Sequence, residues 1–586
     1  MTGESVVPAS IRFAGVLLFV VLFCHAWLCC SALSLPRSWT SAARSVGSVL
    51  LLGGASLATF LVYLSGPRLG LVWAYVVMAA PFVGAAVVSY RRRDGWAALC
   101  TFHTRLLPAL CLSVAILWVG LYPFAWDGND WTVPAHRWRA LTVDNWLSLF
   151  FADMLVAGEI RRPMLAEWQS SDRPPLQVGT FLIFRPLMSS LPGLVYQASS
   201  TWAQTLLLLP LSLLLTHTKR HAHALTLLML GLSPLVFLNG LFVWPKLFAG
   251  AFCAIFHLSL FADADEERLR RDVFTGAAAG FALLSHGGAA FALFGSSLAF
   301  LVLPSPLARP SASDGRAPEA APKRTRLDYW HATLRLLRVA PVTATLLVPW
   351  ILYQRFVDPP GDRLIKWHFA GQIPVTNIPF LPTLRHAYAT ISFSDLVSAR
   401  VVNLQTILAG TLSFFADLWT LLTSPTGDAS MQTLHEMIEG TFHFPAYNAW
   451  FFGPVLLALL LGYAILKKQP LAALWPAGVP LATGLGLLVW LLLTFLPGAA
   501  IVHAGGYFTI VCMPLVVMLA AAQLTPRLFR GLALAQLAVF LALYVFDRPF
   551  ATLARPWLYL LGSPLLLASY WAACQRAAAI DSGPLR

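Results

Sequence analysis

Long runs of hydrophobic residues recur along the whole chain, separated by short connectors that carry many of the arginines and lysines. A helix needs about 20 apolar residues to cross a bilayer. Runs of about that length, some of them shorter, begin near Ile11, Val46, Gly70, Leu106, Ser199, Ala222, Lys246, Val273, Ala289, Val339, Ala449, Leu471, Gly505, Leu532 and Trp557. The pattern predicts an all-α polytopic membrane protein with about 13 to 15 transmembrane helices.

Composition supports this class. The 586 residues are 58% hydrophobic and only 11% charged, whereas about a quarter of the residues in a soluble globular domain are charged. The formal net charge of +14 does not indicate nucleic-acid binding, because the basic residues lie mostly in connectors, where they act as topology signals. The eight cysteines show no paired metal-ligand spacing, so neither a zinc site nor a disulfide framework is expected.

The basic connectors set the predicted orientation, because loops rich in Lys and Arg tend to stay on the cytoplasmic side. Those expected inside are "YRRRDG" (Tyr90–Gly95), "KRHAH" (Lys219–His223), "EERLRRD" (Glu266–Asp272), the region around Lys323, "KKQP" (Lys467–Pro470) and "TPRLFRG" (Thr525–Gly531). This assignment places the N-terminus outside and the C-terminus inside. It requires that Val178–Gln197, with Arg185, Pro186 and Pro192, forms an interfacial or re-entrant helix rather than a full crossing.

Four segments follow from this topology. Residues 1–103 hold the first transmembrane helices, and 104–304 form a core that includes a first outer loop at 125–177. Residues 305–335 are rich in Pro, Ala and basic residues, which predicts a flexible cytoplasmic linker. Residues 336–586 form a C-terminal half with a second outer loop at 356–448. Both outer loops are expected to carry short interfacial helices, and no internal repeat is evident.

Two carboxylates stand where the first outer loop leaves the membrane, in "FAWDGNDWTVPAHRW" (Phe124–Trp138). Asp127 and Asp130 are flanked by Trp126 and Trp131, and tryptophans anchor chains at the membrane interface. A carboxylate held there can remove a proton from a substrate hydroxyl. The other acidic residues of the loop are expected to be solvated surface groups, as most loop carboxylates are; they are Asp144, Asp153, Glu159 and Glu167.

Ionisable residues also recur at the predicted outer ends of helices. Lys246 in "FVWPKLF", His286 in "LLSHGGA" and His503 in "IVHAGGY" each stand close to a glycine or proline. A single such residue is commonly one that reaches out to the headgroups. Three on one face favour a shared polar cavity, because ionisable groups at membrane depth are costly and tend to line sites.

These features together resemble the GT-C superfamily of lipid-linked glycosyltransferases, which includes bacterial protein mannosyltransferases and the lipid A aminoarabinose transferase. Trp126-Asp127 matches the position of the family's loop aspartate, and Arg173-Pro174-Pro175-Leu176 matches its His-Pro-Pro-Leu step. The resemblance covers roughly Leu106 to His286. This chain departs from the family pattern in its extra N-terminal helices, in the spacing of Asp127 and Asp130, and in having Arg173 in place of histidine.

The resemblance implies an inverting enzyme that moves a sugar from a polyprenyl phosphate to a lipid, glycan or protein acceptor. It would lie in the bacterial inner membrane, among membrane lipids, with its active site on the periplasmic face. Asp127 would be the base, with Asp130 orienting it or sharing a divalent cation such as Mg or Mn; no cofactor is certain. Arg173 and Lys246 would hold the phosphate. The remaining candidate substrate-binding residues are Asp172, His286, His503 and Tyr507, and the stretch Arg363–Gln372 of the second loop would cover the site.

Two other classes remain open on the sequence. A transporter or flippase of lipid-linked sugars would also be a basic protein of many helices, but it would place charges near the bilayer midplane. An O-antigen-type glycan ligase would depend on arginine and histidine in a late outer loop, so Arg363 and His368 would matter more than Asp127.

Overall fold

The structure is a computed structural model that describes residues 6–91, 94–122, 144–216, 218–262, 268–303, 326–408, 478–495, 526–546 and 556–581, together with a few isolated residues between 416 and 433. Its regular structure there is helical, and one isolated antiparallel bridge joins Leu165 and Trp168. This agrees with the all-α class predicted from the hydrophobic runs.

Twenty α-helices follow one another in the described part of the chain. The first ten are α1 (Val6–Ser34), α2 (Ser41–Ser65), α3 (Pro67–Arg91), α4 (Gly95–Leu121), α5 (Leu147–Ala157), α6 (Leu176–Phe184), α7 (Pro192–Thr205), α8 (Leu208–Leu214), α9 (Arg220–Gly231) and α10 (Pro234–Phe242). The others are α11 (Lys246–Phe261), α12 (Arg268–Ser285), α13 (Ala289–Val302), α14 (Arg326–Leu352), α15 (Arg363–Ala370), α16 (Phe380–Thr390), α17 (Phe393–Leu408), α18 (Val479–Leu493), α19 (Pro526–Phe540) and α20 (Pro556–Asp581).

Six of these helices are long and apolar enough to cross a membrane, or seven if α9 and α10, bent by 50° between Gly231 and Pro234, form one span. The six are α1 to α4, α14 and α20. At other predicted starts the described helices are shorter, as in α11 and α13, which have 16 and 14 residues. The chain is therefore an integral membrane protein, whose hydrophobic runs include several helices too short to cross unaided.

The segment Val178–Gln197 is broken where its prolines and arginine predict. Helix α6 ends at Phe184, a 3-10 turn covers Arg185–Met188, and α7 starts at Pro192. The Arg185 guanidinium donates to the carboxylate of Asp153 at 2.5 Å. Asp153 is thus an ion-pair partner, which corrects its interpretation as a freely solvated surface group.

Helix α6 is fixed against α2 by a close backbone approach. A Cβ on Gly179 would lie 1.9 Å from the carbonyl oxygen of Ser56, so only glycine fits there. One residue later, the hydroxyls of Ser56 and Thr180 are hydrogen-bonded at 2.8 Å. Every residue from Leu176 to Phe184 is buried. The end of the first outer loop, immediately before α6, is therefore held on a rigid support.

A buried ionic network joins four helices at one end of the bundle. Arg105 on α4 donates to Asp581 at the end of α20 at 2.8 Å, and Asp581 also accepts from Ser212, which bonds His223. At the opposite ends of α4 and α20, the rings of Tyr122 and Tyr559 lie 5.0 Å apart. The C-terminal end of α20 thus lies beside the "KRHAH" connector, as the predicted topology requires.

Helices α12 and α14 run in parallel from their charged starts. Asp272 on α12 pairs with Arg335 at 3.3 Å and with Arg338 at 2.8 Å, both on α14. Farther along, Gly276 faces Val339 and Val342, and Gly280 faces Leu346. Helix α14 begins at Arg326, inside the predicted linker 305–335, of which residues 305–325 lie outside the described residues.

The orientation predicts which exposed positions an impermeant reagent reaches. In a Cys100→Ser background, which removes an exposed cysteine, Glu159→Cys in the first outer loop should react with an impermeant maleimide added to intact cells. Lys219→Cys, exposed at the connector before α9, should react only after the membrane is permeabilised, because basic connectors stay inside. Labelling of Lys219→Cys in intact cells would reverse the orientation.

Candidate active site

Four of the eight predicted site residues lie in the described part of the chain: Asp172, Arg173, Lys246 and His286. The other four, Asp127, Asp130, His503 and Tyr507, lie outside it, and their assignments remain predictions from the sequence.

Lys246 begins helix α11, after a sharp turn. Val243 has a positive φ of 49°, and Pro245 precedes the helix. The lysine is only 4% exposed, and its Nζ lies 3.6 Å from the centroid of the Trp244 ring. The N-terminus of a helix carries a partial positive charge, so a buried ammonium there adds to an electropositive spot. This end of α11 is therefore suited to an anion.

Gln177 ties this turn to the end of the first outer loop. Its Nε2 donates to the carbonyl oxygen of Val243 and, at 3.3 Å, to the Tyr196 hydroxyl. Tyr196 in turn donates to the carbonyl oxygen of Asn145 at 2.6 Å. Because Gln177 lies four residues after Arg173 in the first turn of α6, the buried amide holds the Arg173 and Lys246 segments together.

His286 occupies the turn between α12 and α13. The backbone N–H of Gly288 donates to its Nδ1 at 3.1 Å, so the neutral ring carries its proton on Nε2, which is a hydrogen-bond donor. Burial lowers the pKa of His286 well below its usual value, and the charge of Lys246 lowers it further. Arg173 and His368 lower the pKa of His286 in the same sense. The imidazole is therefore neutral at neutral pH.

The same electrostatic coupling places three groups from separate segments within range of His286. Arg173 precedes α6, Lys246 starts α11, His286 follows α12, and His368 belongs to α15 in the second outer loop. We call these four residues the cationic cluster. The sequence predicted Lys246 and His286 from their positions at helix ends on one face, and the family resemblance implied Arg173. His368 was predicted only as part of the covering stretch Arg363–Gln372.

His368 lies near the C-terminal end of α15 and is joined there to a distant segment. Its carbonyl oxygen accepts from the backbone N–H of Phe495 at 2.8 Å, which joins α15 to the segment after α18. Burial lowers the pKa of His368 to about 4, so it too is neutral at neutral pH. The positive charge of the cluster then resides on Lys246 and Arg173.

Asp172 is placed differently from its predicted role. It is only 2% exposed, and its Oδ2 accepts from Arg363 at 2.8 Å and from the backbone N–H of Gln169 at 3.0 Å. Burial raises its pKa, while the Gln169 hydrogen bond and the Arg363 charge act in the opposite direction. These contacts indicate that Asp172 shapes the loop and neutralises Arg363.

The described residues hold no group of three or more His, Cys, Asp or Glu side chains that could bind a metal ion. The predicted divalent-cation ligands, Asp127 and Asp130, lie outside that part of the chain. The metal requirement therefore remains a prediction from the sequence.

No protein-family model matches the chain, and the search of curated proteins finds no match. Among solved structures, the chain is similar to the crystal structure of ArnT from Cupriavidus metallidurans bound to undecaprenyl phosphate, with 15% sequence identity and a TM-score of 0.40. The similarity covers 84% of this chain and 76% of that chain. A similarity of this size does not establish a shared activity, so the resemblance to the GT-C superfamily rests on the sequence motifs.

Proposed function

We propose that this protein is a membrane glycosyltransferase that moves a sugar from a polyprenyl-phosphate donor to a hydroxyl of a lipid, glycan or protein acceptor. The reaction would take place on the outer face of the membrane, the periplasmic face in a bacterial inner membrane. The observation that carries the proposal is that Gln177 joins the segment of Arg173 to the turn before Lys246, with His286 and His368 within electrostatic range.

The charges of the cluster fit a phosphate on a lipid. Lys246 and Arg173 each contribute one positive charge, while the two neutral histidines contribute none. Arg363 lies nearby, but Asp172 compensates its charge. Arginine can hold two phosphate oxygens at once, and lysine acts as a point charge. A neutral His286 with its proton on Nε2 can donate to a further oxygen of the phosphate or to a sugar hydroxyl.

The bond changes explain why two cations are useful. The acceptor oxygen forms a bond to the anomeric carbon, and its proton passes to the carboxylate of Asp127. The bond between that carbon and the phosphate oxygen breaks, and its electron pair goes to the phosphate. The donor is a phosphodiester with a single negative charge, whereas the departing monoester gains a second ionisable oxygen. Cations placed beside that oxygen stabilise charge that develops only in the transition state.

The second outer loop contributes a cover beside the cluster. The Trp367 ring lies 6.3 Å from the Trp168 ring of the first loop, and the ring of Phe369 packs against Phe291 on α13. An aromatic cover excludes water, which would otherwise hydrolyse the donor and waste the sugar.

The ligase alternative predicted a direct role for both Arg363 and His368. The structure pairs Arg363 with a buried carboxylate, which favours a supporting role for it, and brings only His368 to the cluster. The transporter alternative is distinguished from a glycosyltransferase by the following liposome assay, which detects whether the sugar–phosphate bond is broken.

The test uses purified protein in liposomes with a donor labelled in its sugar. A glycosyltransferase should yield labelled acceptor and free polyprenyl phosphate in equal amounts. A flippase should move intact donor between leaflets and leave the sugar–phosphate bond unbroken. Movement of intact donor without bond cleavage, in the presence of the acceptor fraction of a membrane extract, would overturn the proposal.

A further inference from the structure

The two outer loops are joined by a dense set of contacts. Asp358 of the second loop accepts from the hydroxyl of Ser170 at 2.5 Å and from the backbone N–H of Ser171 at 2.8 Å, and it pairs with Arg162 at 3.3 Å. The hydroxyls of Ser170 and Tyr353 are bonded at 2.6 Å. Asp358 is fully buried. This clasp, between residues 162–173 and 353–373, fixes one loop on the other.

Trp168 lies within the clasp and meets two guanidinium groups. The Arg173 Cζ lies 4.2 Å from the ring centroid of Trp168, and the Arg363 Cζ lies 4.9 Å from the same ring. Trp168 itself closes a tight turn, since its N–H donates to Leu165 and its carbonyl accepts from Met164, both at 2.9 Å. The backbone of Trp168 is therefore fixed in a turn, and the contacts of its ring add to this support.

The two guanidiniums differ in burial and in the groups on which their charges act. Arg363 is 2% exposed and bonds Asp172, the carbonyl oxygen of Glu167 and that of Ile373, at 2.8, 2.9 and 3.1 Å. Arg173 is half-buried and acts electrostatically on His286. The ring of Trp168 thus lies against one guanidinium that is paired with Asp172 inside the clasp and against a second, that of Arg173, whose charge also acts on His286 of the cationic cluster.

We infer that Trp168 is a positioning residue, whose ring fixes the Arg173 guanidinium toward the donor phosphate while the Asp172–Arg363 pair holds the ring in the clasp. This inference rests on the proposed function. A cation over an aromatic face gains about 0.5 to 2 kcal/mol, and a fixed guanidinium loses less side-chain freedom when it binds phosphate. The indole therefore acts on donor binding through Arg173, without contact to the reacting atoms.

The test is a double-mutant cycle with Trp168→Leu and Arg173→Gln. Trp168→Leu should raise KM for the donor, and weaken binding of polyprenyl phosphate, by about 2- to 30-fold, the fold-change equivalent to the cation–π range. In the Arg173→Gln background, the same substitution should add no further loss, because the group it positions is absent. Trp168→Phe should restore most of the affinity, since it keeps an aromatic face.

A matched control is Trp73→Leu, which removes a half-buried tryptophan from α3 and should leave KM unchanged. If Trp168→Leu lowers donor affinity equally with and without Arg173, the ring does not act through that arginine and the inference is overturned. Failure of Trp168→Phe to rescue would contradict it as well.

The same cycle separates this inference from the proposed function. If the wild-type protein binds no polyprenyl phosphate, the proposed function is wrong. The double-mutant cycle is then built from the Tm values of the purified variants instead of their donor affinities. Non-additive shifts in Tm for Trp168→Leu and Arg173→Gln would show that the ring holds the guanidinium. Additive shifts would contradict the contact itself.

Discussion

Asp127→Asn is expected to lower the rate of sugar transfer by a factor of about 10² to 10⁴, the usual contribution of a positioned general base. The amide keeps the size of the carboxylate and much of its hydrogen bonding, but it accepts no proton at neutral pH. Helix α4 ends at Leu121, and Tyr122 is buried against Tyr559, so the chain leaves a firmly packed helix end shortly before Asp127. The measurement is transfer of labelled sugar per amount of folded protein in the membrane.

The matched control for this substitution is Glu159→Gln in the same loop. Its carboxylate is 69% exposed, so the variant should behave like the wild type. Asp153 is unsuitable as a control because it pairs with Arg185. Asp130→Asn should lower the rate of sugar transfer less than Asp127→Asn does, unless the two carboxylates share a metal. In that case the rate of sugar transfer falls to a similar extent in both variants, and added Mg²⁺ or Mn²⁺ partly restores it. An abundant and fully active Asp127→Asn protein would defeat the catalytic assignment.

Lys246→Met is expected to weaken binding of the lipid donor by about 10- to 150-fold, the equivalent of about 1.5 to 3 kcal/mol for a hydrogen bond to a charged group. Folding should survive, because methionine fills a similar volume and relieves the cost of a buried ammonium at a helix N-terminus. The measurement is donor affinity together with the Tm of the purified variant.

The control for Lys246 is Lys219→Met, which removes an equal charge from an exposed position before α9. It should leave donor affinity unchanged, because it lies at the predicted inner end of the bundle. Equal donor affinity in the wild type and in Lys246→Met would remove this lysine from the site.

The sequence predicted the parts of the site that depend on local pattern. Lys246 and His286 stand beside a proline and a glycine at the ends of apolar runs, and Arg173 belongs to a recognisable Pro-Pro-Leu step. Each position is encoded within a few residues, so helix ends and their polar groups are readable from the chain alone. The break at Arg185 and Pro192 was predictable for the same reason.

The clasp was not predictable, because its contacts join residues far apart in the sequence. Ser170 and Tyr353 are 183 positions apart, and Asp172 and Arg363 are 191 positions apart. A single sequence carries no signal for such pairs. Asp172 was therefore predicted to bind substrate, and Asp153 to be a solvated surface group. Their arginine partners lie on other helices and loops, far away in the sequence. Trp168 and Gln177 were missed, since an aromatic face under a guanidinium and one buried amide have no sequence pattern.

Binding of the donor phosphate by the cationic cluster can be measured with two ligands that differ only in the phosphate group. Binding of a polyprenyl phosphate and of the corresponding polyprenol is measured on the wild-type protein and on Lys246→Met. We expect the wild type to bind the phosphate at least 10-fold more tightly than the alcohol, and Lys246→Met to lose most of this preference while binding polyprenol as before. Equal binding of the two ligands by the wild type, or an unchanged preference in Lys246→Met, would contradict this expectation.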